Sequence, residues 1–492
     1  SCSLVGSEMC IRDRPMQGDY TMEFTTKLSD TMNYLDKKLD VVGNFDLVYR
    51  TFYVAGKEAC IYYIEGFTKG EVWQKLMEDF ASIKPEDMPP DAHEFSKKYL
   101  PYSQVGLVKE EEAMIKQLLA GISCLFIDGY DKCFTLDCRS YPVRSVSEPE
   151  KDKVLRGSRD GFVETLTFNT ALIRRRIRDP KLTMEIMNTG ESSHTDIAVC
   201  YFKGRVDEKL LATIKERITK LHVDALTMNQ ESLAECIYPY KWFNPFPKFR
   251  YSERPDTAAA SLLEGNIIIL VDNSPSAMIL PSSVFDIIEE ADDYYFPPIT
   301  GTYLRLSRLV ISIFTLYLTP LWLLFMQNPE MIPNWLRFIR LSEQPQVPLF
   351  FQLMILEFSI DGLRLAAVNT PSMLTTPLSV IAGIVMGEYS VKSGWFNSET
   401  MLYMAFVTVA NYSQSSFELG YAFKFIRMML LVLIALFNVW GFIIGFILSI
   451  CAVVFNKTIA GKSYIYPLIP LHLKELKKRL FRGRLPHKEK QS

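Results

Sequence analysis

Residues 309–329 read LVISIFTLYLTPLWLLFMQNP and carry no charged side chain. At ~1.5 Å per residue, about 20 such residues cross a hydrocarbon core of ~30 Å, so the run predicts a membrane-spanning helix, kinked at Pro320. A second uncharged run, MMLLVLIALFNVWGFIIGFILSICAVVFN, fills residues 428–456. It is long enough to span with tilt, or with a break near Trp440-Gly441.

Three weaker segments lie between these runs. Residues 347–368 are apolar but include Glu357, Asp361 and Arg364, residues 374–391 carry Glu388 near their end, and residues 400–417 end in the polar stretch Asn411-Tyr-Ser-Gln-Ser-Ser416. A charge at the bilayer centre costs about 2.5–3.5 kcal/mol on insertion scales, so such segments persist only where they face protein or water. Spacing of i, i+4, i+7 puts Glu357, Asp361 and Arg364 on one helical face. Either Asp361 pairs internally with Arg364, or the stripe lines an aqueous path. Gln414, Glu418 and Glu388 are further candidates for lining such a path or for buried pairing.

Residues 305–456 thus predict an all-α polytopic membrane domain, followed by a basic tail over 457–492. The tail holds ten Lys+Arg against two acids, which predicts a cytoplasmic location. Residues 1–15 have no helical or strand period and read as a translated adapter, with a native start expected near Met16. No secretory signal follows, so the front of the chain is expected in the cytoplasm too. Both ends inside require an even number of crossings, yet five segments are counted. One must be re-entrant, interfacial or split into a hairpin, with the charged second segment and the 29-residue last one as candidates.

Charge divides the 492 residues in the same place. Ahead of residue 305 there are 36 Lys+Arg to 47 Asp+Glu, and from residue 305 onward 18 to 9, so the overall net of −2 hides an acidic front and a basic, apolar back. With 48% hydrophobic residues, a disordered chain is excluded.

The front predicts α/β structure in two subdomains, 20–150 and 151–300, divided near Ser145–Ser158. Gly121-Ile-Ser-Cys-Leu-Phe-Ile-Asp128 and Gly265-Asn-Ile-Ile-Ile-Leu-Val-Asp272 form a weak internal repeat. Each reads as a buried strand closed by a hairpin turn into a second apolar run, with the aspartate as a turn former. Helical patterns cover Phe162–Ile177 and Asp207–Leu221, Thr195–Phe202 reads as a strand, and Tyr238–Pro255 reads as an extended connector. The cluster Arg174-Arg-Arg-Ile-Arg178 is read as a solvated helix face rather than a nucleic-acid site, because the surrounding domain is acidic.

No phosphate-binding glycine loop, zinc-protease motif or nucleophile elbow occurs, and there are only five histidines, so no enzyme, cofactor or metal is expected. Nine cysteines without a C-x-x-C pair, several among apolar neighbours (Cys60, Cys124, Cys200), predict buried reduced thiols.

The stretch RGSRDGFVETLTFNTALIRRRIRDP (156–180) resembles the signature of the GerA family of spore germination membrane proteins. So do Thr195-Asp-Ile-Ala-Val and YSERPDTAAASLLEG (251–265). The residues carrying the likeness are Arg156, Arg159, Asp160, Arg174, Arg175, Arg176, Arg178 and Asp179, with Glu253, Arg254, Pro255, Asp256, Glu264 and Gly265. It extends over about residues 40–485. The resemblance implies a spore inner-membrane protein acting in germination, with two cytoplasmic α/β subdomains before a multi-helix membrane domain. It also implies assembly with itself into a cation-conducting oligomer, other germination membrane proteins as partners, contact with lipid, and no nucleic acid. One departure is Gln414-Ser-Ser-Phe-Glu418, where the family pattern has a Thr-Pro-Ser kink. The sequence therefore predicts an oligomeric ion-path subunit in which Glu357 and Asp361 become acidic rings tuned by Arg364. The rival reading is a scaffold that clusters receptors and conducts nothing.

Overall fold

The computed structural model describes residues 24–483 except 69, 101–104, 139–153, 156, 239–241, 371–379, 381 and 382. Residues 1–15 and most of the dividing stretch Ser145–Ser158 lie outside the described residues. The chain forms two compact units: Ser1–Pro239, Phe249–Pro281 and Gly483–Ser492 make the first, and Tyr240–Lys248 with Ser282–Arg482 the second.

The first unit holds two five-stranded antiparallel sheets built on one plan. Strands β1 (Leu47–Val54), β2 (Lys57–Ile64), β3 (Val105–Val108), β4 (Ser123–Ile127) and β5 (Cys133–Leu136) are ordered β1-β2-β4-β5-β3. Strands β6 (Leu182–Thr189), β7 (Thr195–Phe202), β8 (Arg250–Ser252), β9 (Ile267–Val271) and β10 (Ala277–Leu280) are ordered β6-β7-β9-β10-β8, the same arrangement. In the first sheet successive side chains go to opposite faces, and both faces are covered. Cys60, Tyr62, Cys124 and Phe126 enter one core, while Ala59, Ile61, Leu125 and Ile127 enter the other. Burial on both faces explains why β4 reads as an uninterrupted apolar run rather than an alternating one.

Helices α1 (Leu28–Leu39), α2 (Glu111–Leu118), α3 (Leu166–Arg176) and α4 (Pro255–Leu263) repeat with the sheets. Asp128, at the end of β4, accepts the Leu28 N–H at 3.0 Å, and Asp272, at the end of β9, accepts the Leu166 N–H at 3.2 Å. Each strand-end aspartate therefore satisfies an orphan donor at a helix N-terminus about a hundred residues earlier. The glycines opening the repeat have φ +93° (Gly121) and +97° (Gly265). A β-carbon there would press on Phe67 or on the Arg205 carbonyl, so glycine is required twice over.

Two expectations are corrected. The helix read as Phe162–Ile177 begins at Leu166, because Val163 is held outside it by hydrogen bonds with the Asn169 amide. The stretch Tyr238–Pro255 is not wholly a connector. Its Arg250–Ser252 forms β8 on the edge of the second sheet, paired with β10, and Pro255 opens α4.

The second unit is helical: α5 (Pro298–Gln327), α6 (Leu349–Asn369), α7 (Ser398–Tyr412), α8 (Phe417–Val454) and a short α9 (Leu473–Leu480). Two of these, α5 and α8, are long and apolar enough to cross a membrane. The run 374–391 falls partly outside the described residues; Gly383–Tyr389 of it is π-helical.

α8 is not one rod. Asn438 has φ 52° and ψ −127°, and a β-carbon on Gly441 would strike the Leu433 carbonyl while one on Gly445 would meet Leu430. Residues 441 and 433 would be ~12 Å apart on a straight helix, so the chain reverses and the two arms, 417–437 and 439–454, run antiparallel. Glycines at 441 and 445 let the arms approach closely. Asn438 closes the turn by exchanging two amide hydrogen bonds with Asn328, at the end of α5, at 2.5 and 3.0 Å.

Polar contacts mark two levels along the bundle. At the Asn328 level, the Asn397 amide group bonds Gln352 at 2.9 Å. At the other, the Ser312 hydroxyl donates to Gln414 at 3.0 Å. Between them lie Trp322, Leu323, Leu353, Leu356 and Met404, a common apolar core.

Candidate functional site

The second unit gathers charge where its helices are otherwise apolar. Glu357, on the inner face of α6, is closed off from solvent. Arg427, on the first arm of α8, donates Nε to Oε1 at 2.6 Å and Nη2 to Oε2 at 2.9 Å, a two-pronged pair. Its Nη1 donates to the Thr315 carbonyl of α5 at 2.7 Å, so one guanidinium joins three helices. One turn along, Lys424 gives a hydrogen bond to the Glu357 carbonyl at 2.8 Å and lies 2.5 Å from Asp361 Oδ2. Two acids and two bases thus balance within one chain. Ion pairs out of water cost more than their attraction returns unless the remaining donors are satisfied, and here they are.

Arg364 stands apart from that balance. No ion pair joins it to Asp361. Its guanidinium carbon lies 4.5 Å from the ring centre of Phe417, 5.0 Å from Tyr421 and 5.4 Å from Tyr412. The three candidates of one helical face therefore divide, Glu357 and Asp361 toward α8's bases and Arg364 onto aromatic rings. Gln414 bridges from Ser312 to the Ala410 carbonyl. Glu388 pairs with Lys392 four residues on, both well exposed, and Glu418 occupies the first turn of α8 in an exposed position.

Sequence reading missed the partners Lys424 and Arg427. Their signal was present: two cations one turn apart, immediately before the last uncharged run. It also missed a second ionic cluster at the start of α5. Arg308 pairs with the fully buried Asp293, Arg305 donates to Glu289 at 2.9 Å, and Arg479 of α9 lies 2.5 Å from Asp286. The acidic run Asp286–Asp293 ahead of Arg305 and Arg308 carried that signal.

In the first unit the signature residues build a frame. Arg174 is fully buried, which corrects the solvated-face reading at that position of the arginine cluster. It donates to Asp46 at 2.7 and 3.0 Å and to the Leu182 carbonyl at 3.1 Å. Asn44 accepts the Met184 N–H at 2.9 Å, and Met184 accepts from Phe45. The two sheets are stitched together there. Arg176 holds Asp160 at 2.6 Å; burial raises that carboxyl's pKa, but the guanidinium and the Ser158 hydroxyl outweigh it and keep it below the usual carboxylate value. Arg175 and Arg178 are exposed, as is Arg159, while Asp179 is half-buried and Arg156 lies outside the described residues. Arg254 grips Asp256 at 2.5 and 3.0 Å and the Ser158 carbonyl at 3.0 Å, and the Glu253 carbonyl accepts from Phe162. The two quoted signature stretches are therefore one packed structure, with Pro255 opening α4, Glu264 exposed at its end and Gly265 turning into β9.

Burial pushes the Cys138 thiol up to about 11 and Cys60 to about 12, so neither is a ready nucleophile. Among the described residues no group of His, Cys, Asp and Glu is arranged to hold a metal.

The family model described as "Bacillus/Clostridium GerA spore germination protein" matches residues 33–492. Stage V sporulation protein AF of Bacillus subtilis (strain 168) is 35% identical over 454 residues, 92% of each chain. Spore germination protein B1 of the same organism is 28% identical over 92% of this chain and 95% of its own length, and spore germination protein KA 26% over 92% and 84%. Among solved structures, the N-terminal domain of the A subunit of the Bacillus megaterium spore germinant receptor GerK3 aligns with 53% of this chain and 97% of its own, at 24% identity and TM-score 0.41.

Proposed function

We propose a function from one premise: the chain belongs to the Bacillus/Clostridium GerA family of spore germination proteins. Its role lies in germination. Within that role we read it as a non-enzymatic subunit of the spore inner membrane, several copies of which assemble around an ion path beside other germination membrane proteins.

Six crossings fit the helical unit. From the Ser312 level to Asn328 is about 16 residues, or ~24 Å, close to a hydrocarbon thickness once the flanking residues are counted. α5 runs out to the Asn328 level, α6 back, and α7 starts again near Asn397, so Thr370 and Asn397 lie at opposite levels. α7 returns, and the two arms of α8 go out and back around Asn438. The reversal supplies the even count that five segments lacked. Both ends of the bundle then lie on the side of the basic tail, the cytoplasmic side by charge bias.

One observation carries the ion-path reading. From Phe358 to Asn369 no residue of α6 is buried in the single chain, yet that stretch bears Asp361, about a third exposed, and Arg364. Charge at membrane depth without cover is costly, so copies of this chain and water supply the cover. Asp361 is then the carboxylate turned to the path, whereas Glu357, neutralised by Arg427, is not part of an acidic ring. The test is current through planar bilayers containing purified protein. Wild type conducts and Asp361→Asn shifts cation selectivity; a silent wild type ends this reading.

The Glu357–Arg427 pair also favours a second reading, in which the charged helix is a packing device and the protein clusters receptors without conducting. Silent bilayers together with loss of germination on removing residues 24–281 would support it.

A further inference from the structure

Arg364 is a half-buried cation of the helical unit that meets aromatic rings rather than an acid. Among the described residues it has no carboxylate partner and no hydrogen-bond acceptor, whereas Arg427, Arg305 and Arg308 have several. Counting Glu357, Asp361, Arg364, Lys424 and Arg427 together leaves one positive charge over, and it resides on Arg364. Three rings hold it in place: Tyr412 at the end of α7, and Phe417 and Tyr421 in the first turns of α8. A guanidinium facing aromatic rings keeps its N–H edge free, and that edge matches the oxygens of a phosphate or carboxylate.

The height of the site narrows the ligand. Tyr412 and Phe417 flank the turn containing Gln414, which is bonded to Ser312 near the first residues of the uncharged run of α5. On the six-crossing reading, on which this inference rests, that is the boundary between hydrocarbon and headgroups on the cytoplasmic side. Tyrosines and arginines collect at such boundaries, and the anions there are lipid phosphates.

We propose that Arg364, seated on Tyr412, Phe417 and Tyr421, binds the phosphodiester of an anionic membrane lipid. The half-buried guanidinium supplies the two-pronged contact, and the rings fix its plane.

Native mass spectrometry of the full chain, released from nanodiscs of phosphatidylglycerol or phosphatidylcholine, tests this. Wild type should retain phosphatidylglycerol through detergent exchange in preference to phosphatidylcholine, and Arg364→Gln should lose that retention by roughly tenfold. Phe417→Leu keeps the charge, removes one ring and should give an intermediate loss, which covers the case in which Arg364→Gln fails to fold. Inorganic phosphate at millimolar concentration should not displace the lipid; displacement would assign the site to free phosphate and overturn the lipid assignment. Equal phosphatidylglycerol retention in wild type and both variants would also overturn it. So would an Arg364→Gln protein that keeps its lipid but loses its oligomer, which would assign the guanidinium to an acid of another copy. Lipid retention does not require current, so silent bilayers would end the ion-path reading and leave this one standing.

Discussion

Arg427 holds Glu357 by both carboxylate oxygens, at 2.6 and 2.9 Å, with neither side chain open to solvent. This contact turns a charged helix into one that an apolar bundle tolerates. Breaking a buried pair by removing one partner typically costs about 3–5 kcal/mol, because the other charge is stranded. Arg427→Met should therefore lower the thermal midpoint of the purified protein sharply. The double variant Glu357→Leu/Arg427→Met, with no charge left to strand, should recover most of that loss; measured midpoints of the two single variants and the double complete the cycle.

The joint between the two sheets of the first unit has the same logic. Arg174→Ala leaves Asp46 buried without its partner and frees the Leu182 carbonyl. The expected loss is about 3–5 kcal/mol. Limited proteolysis should then cut within residues 157–181 at protease levels that leave that stretch of wild type intact, whereas Arg178→Ala, exposed on the surface, should behave as wild type.

These two pairs also show what the sequence could tell. The strands were legible because their apolar runs end in Gly and Asp, and the internal repeat proved to be a duplicated sheet with the same strand order. Asp128 and Asp272 were legible as turn residues but not as helix caps, since each acceptor serves an N–H about a hundred residues away. Arg174 was misread for the same reason: its partner Asp46 is 128 positions distant, and a local window sees only a basic helix end. In the helical unit, spacing alone put Glu357, Asp361 and Arg364 on one face but said nothing of which neighbour each meets. Asn438 was hidden because a break in an apolar run has no compositional mark when no proline causes it; the nearby Trp440-Gly441 was the only cue.

Asp160 gives a pH signature. Arg176 and Ser158 hold its carboxyl below the ordinary value of 3.8, so the folded state is favoured at any pH above the unfolded value, and the contribution is lost as pH falls through the lower folded value. The stability difference between wild type and Asp160→Asn, followed by chemical denaturation, should be constant from about pH 7 to 5 and shrink steadily below about pH 4.

Asn438 sits at a positive φ that β-branched residues strongly resist, and its amide closes the reversal of α8 against Asn328. Asn438→Gly should fold with a loss of about 1 kcal/mol from the missing amide contacts, while Asn438→Val should cost about 2–3 kcal/mol more. Membrane yield and thermal midpoint rank the two.

The most direct measurement on the central claim, that copies of this chain enclose water beside Asp361, is thiol labelling in assembled protein. Phe358→Cys and Leu365→Cys, one turn either side of Asp361, are treated in intact membranes with a maleimide that dissolves only in water. The account predicts labelling at one or both positions that is blocked by permeant cations of increasing size. Absence of labelling at both, while a cysteine introduced at Lys474 in the exposed part of the tail reacts, would contradict it.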